Sequence, residues 1–302
     1  MSLQTGFAPG TLWRAISAAT HRARSLGVLK PIDTVEEEIE DAGVRFLVRR
    51  AANLVRKEEA HARAGRSSTA DPFLPYDPAL FVADISPTHV ALLNKFPVLN
   101  QHVLIVTRAY AAQETPLEQA DFDALAACMA EFEALGFYNA GPDAGASQDH
   151  KHLQLVPLPL AAGQSEVPIQ PLLPRSRQGA TGMVGLPFCH AYADLPLAGW
   201  ARPGEVALHL TEIYRGLRSA VGIEECAAEG ERRRSAPYNL LITREWMLLV
   251  PRSSERCAGI SINALGFAGS LFVKDDAQLA FVRGTGPMSV LRAVAIPPSE
   301  QR

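Results

Sequence analysis

Apolar positions along this chain recur with two periods, 3.6 and 2, and the switches between them mark its elements. Residues 10–26 (GTLWRAISAATHRARSL) carry the helical period and are closed by Gly27. Residues 56–70 are small, polar and charged, which predicts a loop, and the following DPFLPYDP is proline-rich and extended. Two short strands, 90–93 and 102–107, flank NKFPVLNQ. TPLE at 115–118 has the residues of a helix start, with Thr115 as N-cap, Pro116 at N1 and Glu118 closing a capping box. Leu117, Leu125, Met129, Phe132 and Leu135 continue that helix as an apolar stripe up to Gly136. A strand at FYNAG, the glycine-containing GPDAGASQD and a strand at HKHLQLV follow, the last ended by Pro157 and Pro159.

Beyond residue 160 the pattern weakens. Residues 160–204 are rich in Pro, Gly and Ala and predict an irregular excursion; 205–222 return to a helix with Val206, Leu210, Ile213, Leu217 and Val221 on one side. ERRRS at 231–235 reads as a solvated loop, 238–252 as strand–turn–strand, 260–273 as a strand with a glycine break, and 287–294 as a short helix opened by Pro287. ALLNKFPVLNQHVLIVTR and YNLLITREWMLLVPR share one grammar, which either a remnant duplication or common turn chemistry produces. Strands and helices cluster rather than alternate, so the expected class is α+β with a largely antiparallel sheet. The expected division is an N-terminal part at 1–160, an irregular and helical insertion at 161–235, and a C-terminal part at 236–302 completing the same unit.

Composition narrows the possible functions. A length of 302 residues with 47% hydrophobic and 20% charged residues suits a globular chain of one large domain or two ordinary ones. The formal net charge of −3 supplies no global field toward nucleic acid or anionic lipid, so any phosphate must be held by local cations and backbone amides. Cysteines at 128, 189, 226 and 257 form no C-x-x-C pair. With no signal peptide and no long apolar run, this leads to an expected cytoplasmic location without membrane or nucleic-acid partners.

Candidate chemistry concentrates in GASQDHKHLQLVPLP, residues 145–159. In a strand, His150, His152 and Gln154 share one face while Lys151, Leu153 and Leu155 share the other. A zinc site would need further ligands, and His89, His102, His190 and His209 stand at no recognised ligand spacing. An H-x-H on a solvated strand face is the plainest alternative. Against it, Ser147, Gln148 and flexible glycine-containing backbone immediately precede the strand, and such segments turn N–H donors toward anions. An imidazole facing that cradle is placed to attack phosphorus, with Gln154 bonding a non-bridging oxygen or the ring.

H-x-H-x-Q after a Gly/Ser segment resembles the active-site strand of the transferase branch of the histidine-triad (HIT-like) superfamily, whose hydrolase branch has a third histidine at the place of Gln154. NKFPVLNQHVLIVTR, FYNAGPDAGASQDHKHLQ, YNLLITREWMLLVPR and NALGFAGSLFVK, in that order, resemble the diadenosine tetraphosphate phosphorylase (ATP adenylyltransferase) family from about residue 40 to the end. The resemblance implies a HIT-like α+β fold, with or without a degenerate second half. It implies His152 as nucleophile and His150 as the supporting histidine, with Gln154 on phosphate. It further implies substrate contacts from Asn94, Lys95, Asn139, Gly145, Ala146, Ser147, Gln148, Asn263, Ala264, Leu265, Ser270 and Lys274, and an N-terminal basic contact from Lys57, or from Arg50 or Arg56. The expected activity is reversible phosphorolysis of diadenosine tetraphosphate to ADP and ATP. A divalent cation such as Mg²⁺ is expected with the polyphosphate, without a dedicated metal site, and the expected partners are small nucleotides and phosphate. A hydrolase, an ADP-sulfurylase-type transferase and a non-catalytic nucleotide-binding module are the alternatives.

Overall fold

Eight antiparallel strands set the frame of the computed structural model, which describes residues 5–51, 71–161, 163, 167–173, 185–195, 199–223 and 235–298. They are β3 (Phe81–Asp84), β4 (His89–Leu93), β5 (Val103–Thr107), β6 (Ala134–Asn139), β7 (His152–Pro157), β8 (Ala191–Asp194), β9 (Tyr238–Ile242) and β10 (Trp246–Pro251). Their order across the sheet is β3-β4-β5-β7-β6-β9-β10-β8, and each neighbouring pair runs antiparallel. The expected hairpins at 90–107 and 238–252 are both present. β6 pairs with β9, so strands from 1–160 and from 236–302 share this one sheet, and β8, from the stretch 160–204 expected to be irregular, joins its edge by pairing with β10.

Three helices cover the back of the sheet: α1 (Leu12–Ser25), α2 (Gln119–Met129) and α3 (Pro203–Ala220). Leu12, Ile16, Ala19 and Ala23 form the buried stripe of α1, and Gly27 takes the left-handed conformation (φ 65°) just past its end. These helices meet Leu153, Leu155, Tyr138, Leu240 and Met247 in one apolar cluster. A smaller sheet covers part of the front. There the hairpin β1 (Val35–Asp41) and β2 (Val44–Arg50) turns through Ala42 and Gly43, both at positive φ, and β13 (Ser270–Val273) runs parallel to β2. The sequence reading assigns no element to β1, whose run VEEEIED lacks apolar alternation. The two-stranded β11 (Arg256–Cys257) and β12 (Ile260–Ser261), then α4 (Ala264–Phe267), α5 (Asp276–Thr285) and α6 (Pro287–Val294), complete the front.

Three expectations for elements are corrected. Helix α2 starts at Gln119, not after Thr115: the Pro116 carbonyl is held by Lys151 Nζ (2.9 Å) and the Leu117 N–H by the Tyr214 hydroxyl (3.1 Å). Glu118 becomes the N-cap residue, its N–H donating to Asp121 Oδ2 at 2.7 Å. The helix also stops well before Gly136, because Arg244 binds the carbonyls of Met129 and Ala130. Leu135 and Gly136 therefore lie in β6, where a Cβ on Gly136 would sit 3.0 Å from Leu125 Cδ1, so the helix packs close on the sheet. The 260–273 strand is two short strands around α4, which Asn263 opens by accepting the Leu265 N–H. The short helix at 287–294 is observed as α6, and the helix expected at 205–222 as α3. The loop expected at 56–70 lies outside the described residues.

Candidate active site

A cavity of about 690 Å³ opens on the front of the sheet, between the apolar cluster under α4–α6 and a smaller one built from Phe73, Val90, Leu92, Leu104 and Val106. β7 delivers the motif to it with the expected alternation. Lys151, Leu153 and Leu155 turn to the helices. His150 and His152 both pack against Phe73 on the front, with ring centroids 5.5 and 5.4 Å from it.

His152 is buried, and its main chain lies where β6 and β7 diverge. The side chain of Gln113 fills that gap as a surrogate strand. Gln113 Oε1 accepts the His152 N–H (2.8 Å), and its Nε2 donates to the carbonyls of His152 (3.2 Å) and Asn139 (2.9 Å). The ring is fixed as well. His152 Nδ1–H donates to the His150 carbonyl at 2.8 Å, which leaves the unprotonated Nε2 for the cavity. Burial lowers the ring's pKa from the ordinary 6.5 to about 4; the bond to the His150 carbonyl opposes this, and repulsion from His150 adds to it. The result is a neutral imidazole with a fixed tautomer and an available lone pair.

His150 does not reach the cavity. Its Nδ1 lies 2.6 Å from Asp71 Oδ2, and its Nε2 lies 2.8 Å from the Thr107 carbonyl and 2.9 Å from Thr107 Oγ1, with Tyr110 edge-on. Both nitrogens thus face acceptors, and the ring ties β5 to the segment that begins at Asp71. The same carboxylate accepts the Phe73 N–H (2.8 Å), so one aspartate anchors both the supporting histidine and the aromatic wall. His150 meets the His152 ring through its carbonyl and does not line the cavity.

Behind the strand lies a buried charged cluster. Lys151 Nζ is 2.6 Å from Asp121 Oδ2, and His89 Nε2 is 3.1 Å from Asp121 Oδ1. Burial alone would raise the Asp121 pKa. The hydrogen bond from His89 and the charge of Lys151 outweigh it and hold the carboxyl below its usual range.

Of the residues expected around phosphate and nucleotide, Gln154, Asn94, Lys95, Asn139, Gly145, Ala146, Ser147, Gln148, Asn263, Leu265 and Lys274 line the cavity. The cradle has fewer donors than expected. Gly145 and Ala146 spend their N–H groups inside the loop, on Pro142 and Gly141 carbonyls, leaving Ser147 as its clearest donor toward the cavity. Gly145 is required there: it sits at φ 84°, and a Cβ would lie 2.7 Å from the Ile262 carbonyl oxygen. Asn139 holds the frame through Oδ1, which accepts from Asn239 Nδ2 (2.8 Å) and the Ala264 N–H (2.9 Å). Two residues are not brought to the cavity. Ala264 lies behind Asn139, and Ser270 is fully buried against the Arg49 guanidinium, because the start of β13 faces β2 rather than the opening. Arg50 pairs with Asp276 away from the cavity, and Lys57 and Arg56 lie outside the described residues. Among the described residues, no three His, Cys, Asp or Glu side chains form a metal-holding group.

A family model described as the Ap4A phosphorylase N-terminal domain matches residues 2–175, and one described as the ATP adenylyltransferase C-terminal domain matches 184–297. This chain belongs to the Ap4A phosphorylase family. It is 27% identical over 284 residues to diadenosine 5',5'''-P1,P4-tetraphosphate phosphorylase 2 of Saccharomyces cerevisiae, with 85% of each chain covered. It is 28% identical over 293 residues to Protein APA1 of the same yeast, with 89% of this chain and 88% of the relative covered. The crystal structure of yeast Ap4A phosphorylase Apa2 superposes with a TM-score of 0.77 at 24% identity, covering 96% of this chain and 98% of that one. Apa2 in complex with Ap4A gives a TM-score of 0.74 at 23% identity, and the same shares are covered. The shared fold includes the large antiparallel sheet expected for an Ap4A phosphorylase family member.

Several residues of the site carry no sequence signal of their own. Asp71, His102 and Gln113 reach the histidine strand through contacts made far along the chain. Phe73, Tyr76 and Leu80 form the apolar wall; aromatics interleaved with prolines in DPFLPYDP are the trace they leave in the sequence. Arg256 joins Lys95 and Lys274 as the cations of the cavity rim.

Proposed function

We propose that this chain is an ATP adenylyltransferase that phosphorolyses diadenosine tetraphosphate, releasing ATP and then ADP, through an AMP–histidine intermediate on His152. The observation that carries this reading is the state of His152: a neutral ring, protonated on Nδ1 by its bond to a carbonyl, with Nε2 open to a nucleotide-sized cavity. Membership of the Ap4A phosphorylase family and the yeast relative named for this activity support the choice of substrate. The apolar wall of Phe73, Tyr76 and Leu80 suits a base, and the rim cations Lys95, Arg256 and Lys274 suit phosphates.

In the first step the Nε2 lone pair attacks the α-phosphorus, the bond to the bridging oxygen breaks, and ATP leaves with that oxygen. The AMP–imidazole formed divides one hard substitution into two easier ones. The developing charge on the non-bridging oxygens is met by N–H donors of Gln154 and Ser147 and by the rim cations. The second-step acceptor, inorganic phosphate, then attacks the same phosphorus, gives ADP and returns the lone pair to Nε2. Two inversions give net retention of configuration. Magnesium enters with the polyphosphate and neutralises part of its charge. No helix among the described residues is long and apolar enough to cross a membrane, and we place the reaction in the cytoplasm on the dispersed cysteines.

Product analysis tests this reading. The purified protein is incubated with diadenosine tetraphosphate and magnesium, with and without phosphate, beside His152→Ala. ADP and ATP in steady turnover only with phosphate, and no products from the variant, is the expected result. AMP and ATP in steady turnover without phosphate would identify a hydrolase on the same scaffold, and no turnover in either tube would overturn the assignment.

A further inference from the structure

We propose that His102 is a positioning residue, which decides which end of the Gln154 amide faces the reacting phosphorus. The inference deepens the reading above and rests on Gln154 lying beside the transferred phosphoryl group.

A primary amide has two ends of similar shape and opposite polarity, and its terminal torsion is broad and nearly two-fold. Nothing within the glutamine itself selects the orientation. If the oxygen pointed at the phosphoryl group, an acceptor would meet acceptors, and the site would lose a donor where negative charge develops.

The selection starts from a group whose polarity is beyond doubt, a main-chain N–H. Phe96 N–H donates to Asn94 Oδ1 at 3.1 Å, which fixes the Asn94 amide with its nitrogen on the other side. That nitrogen, Asn94 Nδ2, lies 3.2 Å from His102 Nδ1. Two donors cannot bond each other, so His102 Nδ1 accepts and the ring proton resides on Nε2. His102 Nε2–H then donates to Gln154 Oε1 at 2.9 Å. With its oxygen engaged, Gln154 presents Nε2 and two N–H bonds, and that nitrogen has no hydrogen-bond partner among the described residues. Each link forces the next, from a backbone amide of the β4–β5 connection to the phosphate-facing donor.

The surroundings keep the relay rigid. His102 is only 3% exposed and its ring packs against Phe137 at 5.8 Å. β5 and β7 are paired at Leu104 and Gln154, which sets the approach of the two side chains by strand register. Asn94, expected from the resemblance to touch substrate, thus also acts through His102.

The test separates an orienting role from a general structural one. His102→Ala is expected to lower kcat about 10- to 100-fold, with KM changed by less than about threefold, because only the transition-state contact is lost. His102→Gln, which returns an N–H donor near the position of the imidazole Nε2, is expected to recover most of that loss. In a Gln154→Ala background, itself slower by about 10²-fold, His102→Ala is expected to cost nothing further. ¹⁵N-histidine NMR of the whole protein, with the His102 signal identified by its loss in His102→Ala, is expected to show protonation on Nε2 and none on Nδ1. Losses that multiply in the double variant, or an Nδ1-protonated ring, would overturn the proposal. Should the wild-type protein release no ATP from the dinucleotide, the reading of function fails, while the tautomer measurement still decides the relay.

Discussion

The two faces of β7 put neighbouring residues to opposite uses. On the front, His152 and Gln154 each keep one polar nitrogen without a described partner and aimed into a cavity. On the back, Lys151 has its ammonium bound by Asp121 and the Pro116 carbonyl, and Leu153 and Leu155 are sealed in the core. Reactivity needs the first condition and a rigid platform needs the second. A strand provides both because successive side chains point to opposite faces.

If the faces are as distinct as this, substitutions on them separate activity from stability. The largest effect is expected at the front. His152→Ala is expected to slow ATP release by on the order of 10⁴-fold or more, while unfolding free energy shifts by only about 1 kcal/mol. Single-turnover kinetics and urea unfolding on the same preparation measure the two. On the back, Lys151→Met strands a buried carboxylate and is expected to destabilise by about 3–5 kcal/mol. Adding Asp121→Leu is expected to recover much of that by removing the stranded charge. A Lys151→Met protein that melts like wild type would erase the distinction between the faces.

Gln113 belongs to neither face and sharpens the comparison. It clamps the main chain of His152, so Gln113→Ala is expected to do both kinds of damage. Loss of placement is expected to cost about 10²-fold in rate, and the exposed peptide groups about 1–3 kcal/mol. The smallest effect is on pH dependence. Between pH 6.5 and about 4 the unfolded chain binds a proton at His152 that the folded chain refuses. The contribution of His152 to stability is therefore complete above pH 6.5 and is lost as pH falls toward 4. Its lone pair persists over the same interval. The rate of ATP release in single turnover is accordingly expected to hold down to pH 5 and fall only near 4; a midpoint near 6.5 would show a solvated ring.

Much of this site was legible in the sequence where the information is local. Alternation in HKHLQ placed His152 and Gln154 together and Lys151 opposite, strand–turn–strand runs placed the two hairpins, and Pro287 marked the start of α6. The hairpins also show the limit. Their shared grammar does not reveal that the long connection NKFPVLNQ carries cavity residues, whereas the tight turn after β9 serves to cap α2 through Arg244. A local signal failed where a distant group outbid it, the TPLE cap yielding to Lys151 and Tyr214, and the resemblance did not foresee that Ser270 meets Arg49. Asp71, His102 and Gln113 were invisible for the same reason. Each works on a partner 39 to 79 positions away, across strands whose pairing a single sequence does not declare.

The central claim is that His152 Nε2 takes up AMP, and the direct measurement is to trap that adduct. The protein is mixed with an excess of diadenosine tetraphosphate and magnesium in the absence of phosphate, quenched in alkali to spare the phosphorus–nitrogen bond, digested and analysed by mass spectrometry. The account predicts one AMP on the peptide carrying His152, one ATP released per active site, and discharge to ADP when phosphate is added before the quench. ATP released with no AMP on the protein, or AMP carried by another residue, would contradict it.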